Sequence, residues 1–121
     1  MFNSRRAVLQ FSRQLAMLLE GGVALQVAVD LLRLQYRSRR WQALLREVGT
    51  RLRQGDPLAR VLSSYPRLFP RSYVETLQWA ERTGSADNLA LALRLVAGDA
   101  TARPVAERFV TRDSPADRAR R

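Results

Sequence analysis

At 121 residues the chain is the size of one domain, and it contains no cysteine and no histidine. Disulfides, the usual zinc ligands, the commonest general base and every Ser/His or Cys/His pair are therefore missing, which disfavours a hydrolytic or metal-dependent enzyme while leaving carboxylate chemistry open. The formal net charge of +10 comes from 21 basic residues, all of them arginine, and predicts attraction to something anionic: nucleic acid, an anionic membrane surface or an acidic partner.

Val8, Phe11, Leu15, Leu18 and Leu19 recur every three or four positions and predict a first helix over 5–20, with Ser4 as its cap. Gly21 and Gly22 stop it, because glycine enters the left-handed backbone that closes a helix without steric penalty, and a second helix folds back from Val23. In that segment Leu25, Val27, Ala28, Leu31 and Leu32 are expected inside, with Gln26, Asp30 and Arg33 outside, to an end near Tyr36. Ser38 caps a third helix, whose stripe of Trp41, Leu44, Leu45, Val48 and Leu52 is the clearest in the chain. Gly55 ends it. GDPLARVL then reads as a short helix to about Ser64, capped by Asp56 and with Pro57 in the first helical position, where its missing N–H costs nothing.

Pro66 and Pro70 bracket a turn that pins Leu68 and Phe69 into the core. A fifth helix over 70–82 turns Tyr73, Val74, Leu77 and Ala80 inward and closes at Gly84. A sixth, opened by Ser85 or Asp87, carries Leu89, Leu93 and Val96 on one stripe with Leu91 and Leu95 on its flank, and fades near Gly98. From Thr101 prolines interrupt and apolar residues thin out; Val105, Phe109 and Val110 suffice for a short helix, and the last dozen residues read as disordered. With no strand pattern, the expected fold is all-α: an antiparallel six-helix bundle over residues 1–100, followed by a basic, proline-containing tail over 101–121. The longest uncharged run, 21–29, is far short of the ~20 apolar residues that cross a bilayer, and Gln10, Arg13 and Gln14 break up any secretory leader. As written, the chain reads as soluble and intracellular.

The glycines follow helices, where capping explains them, and none forms a phosphate loop. The acids are scattered along the helices, with no ligand cluster of recognisable spacing, so neither a cofactor nor a metal is expected. Trp41, Trp79 and Tyr36 lie near arginines, as base-stacking residues of single-strand binders do, but Trp41 falls on the core stripe and Trp79 off it, partly exposed. Between Arg33 and Arg53 seven arginines face one acid, Glu47; Arg37, Arg39, Arg40, Arg46, Arg51 and Arg53 form either a partner-binding basic face or an ordinary solvated one. Glu81, beside the inward Ala80, calls for a donor from a neighbouring helix, and Arg13 and Gln14 are the candidates, with plain solvation as the alternative.

The segments FSRQLAMLLEGG, GDPLARVL, YPRLFP and ERTG, in that order and spacing, resemble the successive motifs of the F domain of inner-membrane platform proteins in type II secretion and type IV pilus assembly. Phe11, Arg13, Gln14, Leu15, Leu18, Leu19, Gly22, Gly55, Leu58, Pro66, Phe69, Pro70, Glu81, Thr83 and Gly84 match that pattern across about residues 4–97, while Ala80, Ala86 and Val61 depart from it. The resemblance implies a helical domain at the cytoplasmic face of the inner membrane, one that works by contact and not by catalysis. Such domains meet the assembly ATPase and other inner-membrane components and self-associate as homodimers or larger assemblies. Family members carry the domain twice, each copy followed by membrane-spanning helices; one copy and no span are present here. The alternative is a soluble helical nucleic-acid-binding protein that uses the same arginines on phosphates.

Overall fold

The computed structural model describes residues 4–98, and among them there are six α-helices and no strand. They are α1 (Ser4–Glu20), α2 (Leu25–Gln35), α3 (Arg39–Arg53), α4 (Leu58–Leu62), α5 (Arg71–Arg82) and α6 (Ala86–Val96). The helix count, the order and most of the corners agree with the sequence reading. Gly22, Gly55, Gly84 and Gly98 all have positive φ, the conformation that the helix stops demand. Ser38 and Ser85 act as caps, each accepting a backbone N–H, from Trp41 and Asn88 respectively. The short helix and tail expected beyond Thr101 lie outside the described residues.

Each helix packs on its neighbours in sequence, and α6 closes on α1, so the six helices form a ring. One core fills the ring. Its widest side chains are Phe11 from α1, Trp41 from α3 and Phe69 from the turn before α5, all at or near zero exposure. Phe11 lies 5.9 Å from both Trp41 and Phe69 between ring centroids, and Tyr36 stacks on Trp41 at 5.2 Å. The α1–α6 closure is pinned at the surface by a two-pronged ion pair: Arg94 donates through Nε and Nη2 to the Glu20 carboxylate, 2.6 Å in each case.

Three expectations change. Ser4 lies inside α1 rather than ahead of it. In α2 the buried residues are Ala28, Val29 and Leu32, whereas Val27 and Leu31 face outward and Leu25 is half-buried. Val27 and Leu31 belong to a second apolar stripe on the same helix, and periodicity alone does not rank two stripes. In the third change, α4 ends at Leu62 and starts one residue later than expected, with Pro57 in the capping position and no cap from its own side chains.

Candidate interaction surface

The cap that α4 lacks comes from α5. Both oxygens of Glu81 accept backbone N–H groups at the start of α4, from Leu58 at 2.7 Å and Ala59 at 2.9 Å. A carboxylate at a helix start satisfies two of its free donors and also meets the positive end of the helix dipole. This replaces the expected partners of Glu81. Arg13 is exposed and Gln14 half-buried, and neither bonds to it. Asp56, expected to cap α4, instead accepts from Arg51 Nε at 3.1 Å, and Arg51 Nη1 reaches Ser64 Oγ at 2.9 Å. One arginine thus ties the end of α3 to both flanks of α4.

The matched motif residues therefore serve mostly to build the fold, as core, corners and the Glu81 lock. Phe11, Leu15 and Leu58 are fully buried, Phe69 nearly so, and Gly22, Gly55 and Gly84 make the corners. Arg13 and Pro66 stay at the surface, as do Pro70 and Thr83, which flank α5 at its two ends. The three departures cause no visible gap, since Ala80 and Val61 are fully buried in a continuous core while Ala86 is exposed at the start of α6.

Of the six arginines expected on a basic face, the fold commits two to internal work. Arg51 makes the α3–α4 tie, and Arg53 Nη1 pairs with Asp30 of α2 at 3.1 Å. Gly49, which lies inside α3 and not after a helix as expected, makes room for that second pair, because a Cβ there would stand 3.0 Å from Asp30 Oδ1. Arg37, Arg39, Arg40 and Arg46 point outward and make no ion pair among the described residues. Trp41 is 2% exposed, so it packs and does not stack on bases; Trp79 is half-buried against the core.

A groove of about 530 Å³, formed by α1, the turn before α5 and the ends of α5 and α6, has Arg5 and Arg67 as its charged residues and no carboxylate. Among the described residues no three acids come together. Ser12 donates to the Val8 carbonyl at 2.7 Å, which uses its one proton, so the 2.6 Å contact with Tyr73 has the phenol as donor. That pair is buried, joins α1 to α5 and has no base beside it.

All three tyrosines are harder to ionise than usual. Burial pushes the Tyr36 phenol up to about 12, where its hydroxyl has no hydrogen-bond partner among the described residues. Burial likewise raises Tyr73, and at Tyr65 it acts together with the hydrogen bond that the hydroxyl donates to Glu47. A phenol with a raised folded-state pKa stabilises the fold in full below pH ~10, and that stabilisation is lost as pH climbs. With no histidine, lysine or cysteine in the chain, Tm is expected to stay level from about pH 6 to 9 and to fall above about pH 10, together with a late rise of tyrosinate absorbance. Melting curves across that range check it; a slope near pH 7 would contradict it.

Residues 11–103 match the family described as Type II secretion system (T2SS), protein F. The chain is similar to the "Protein transport protein HofC homolog" of Escherichia coli, at 36% identity over 74 residues, covering 61% of this chain and 18% of that protein. It is also similar to the "Type IV pilus assembly protein PilC" of Thermus thermophilus, at 31% identity over 87 residues, covering 72% and 21%. The chain thus spans about a fifth of the length of these relatives.

Proposed function

Because the chain belongs to the type II secretion system protein F family, we propose that it is a non-catalytic interaction module of the inner-membrane platform in type II secretion or type IV pilus assembly. It sits at the cytoplasmic face of the inner membrane, contacts the assembly ATPase and other platform components, and self-associates there. The observation that carries this reading is the division of labour between motif and surface. Apart from Arg13, Gln14 and Pro66, the motif residues are spent on packing, corners and the Glu81 lock, and none converges on a reactive cleft. What the fold turns outward is charge: Arg37, Arg39, Arg40 and Arg46, unpaired among the described residues, on the connection into α3 and on α3 itself. A rigid ring with a basic exterior suits contact with acidic partners, through complementarity that steers encounter and sets orientation.

Reversing Arg39 and Arg40 to glutamate is expected to lower recovery of the secretion ATPase in a pull-down several-fold while leaving the helical circular dichroism spectrum and Tm unchanged, since both side chains are exposed. Equal recovery by the double variant would remove this surface from the proposal.

A further inference from the structure

Helix α2 is apolar on two opposite sides. Ala28, Val29 and Leu32 face the bundle, while Val27, Leu31 and Leu34 are 51%, 41% and 72% exposed. At 3.6 residues per turn the spacing i, i+4, i+7 places these three within a sector of about 60°, opposite the buried side. Gln26, Asp30 and Arg33 occupy the remaining arc, so the outer apolar stripe is a distinct exposed patch that calls for its own cover. Among the described helices α2 packs only on α1 and α3, which leaves this side open. Leu34 stands three residues before Arg37 in the connection, which leads directly to Arg39 and Arg40 at the start of α3.

We propose that the outer side of α2 is an interfacial lipid-binding face: Val27, Leu31 and Leu34 enter the headgroup boundary of an anionic bilayer while Arg37, Arg39 and Arg40 meet its phosphates. This deepens the reading above, on which it rests only in taking the arginine-rich end of α2 as a contact surface. Two considerations select lipid over a second copy of the chain. The first is charge: a second copy docked on this side would bring its own Arg37, Arg39 and Arg40 against those of the first, whereas an anionic leaflet attracts them. The second is area. Three side chains on an 11-residue helix expose only a fraction of the ~800 Å² per partner that a standard protein interface buries. An interfacial helix needs less, because shallow insertion of a few apolar side chains adds to electrostatic attraction without a matching protein surface.

The test uses the full chain with vesicles of phosphatidylcholine containing about one third phosphatidylglycerol, against phosphatidylcholine alone, at about 0.15 M salt. Binding is expected to the anionic vesicles only. Replacing Leu31 and Leu34 together by serine is expected to lower the partition coefficient about tenfold with the circular dichroism spectrum unchanged. Because the chain has no cysteine, Leu34→Cys accepts a single environment-sensitive dye, whose emission should shift to the blue on anionic vesicles. The same dye at Gln78→Cys, exposed on α5, should not shift. Vesicle binding unchanged by the double serine variant, or a silent dye at Leu34, would overturn the proposal. A dimer that the serine variant dissolves while vesicle binding persists would give the stripe to a second copy instead. ATPase capture by the serine variant is measured alongside, so that a failure at the lipid and a failure at the ATPase are told apart.

Discussion

Phe11→Ala is expected to lower the free energy of unfolding by about 3–5 kcal/mol, the range for truncating a buried phenylalanine. Phe11 has no exposed surface and sits at the junction of α1, α3 and the turn before α5, within 5.9 Å of both Trp41 and Phe69. The void left behind cannot easily close. Trp41 is also held by the stacked ring of Tyr36, and Phe69 by Tyr73 at 5.1 Å, so neither ring is free to slide into the space. Against the 5–15 kcal/mol that is usual for a domain, such a loss removes a large fraction of the total stability. Urea unfolding followed by tryptophan fluorescence measures it. A cost under about 1 kcal/mol would mean that the aromatic cluster is not the centre of the core.

Glu81→Ala is expected to cost about 2–4 kcal/mol, and Glu81→Gln roughly half of that, because glutamine keeps one acceptor but turns an amide donor toward the second N–H. Helix α4 has five residues, too few to persist by itself, and no side chain of its own segment caps it. Its first two N–H groups depend on a carboxylate 22 and 23 positions further along the chain. Without that acceptor α4 should loosen before the rest of the ring does. Amide exchange at Leu58 and Ala59 is therefore expected to accelerate more than exchange in the middle of α5. If α4 kept its protection in Glu81→Ala while global stability fell, the lock would be assigned to the wrong place.

Six helices and their order were readable because each carries an apolar stripe at helical spacing and is punctuated by a glycine with positive φ or by a serine cap. The core residues of α1, α3 and α5 were readable for the same reason, a single stripe having only one inward solution. α2 was not, because Val27, Leu31 and Leu34 compete with Ala28, Val29 and Leu32 for the inside. The arginine-rich region was visible in composition, but its division into Arg51 and Arg53, which hold helices together, and Arg37, Arg39, Arg40 and Arg46, which do not, depended on where Asp56, Ser64 and Asp30 came to lie.

The amino-acid order by itself determined an all-helical fold over the described residues, with corners at Gly22, Gly55 and Gly84, since backbone preference and hydrophobic period act within a few residues of one another. Tertiary structure alone decided which of two stripes α2 buries, that Glu81 caps α4, and that Arg94 closes the ring on Glu20 from 74 positions away. Those choices depend on which polar groups are left without water once distant segments meet, and a charged side chain takes the nearest unsatisfied partner in space, whatever its distance along the chain.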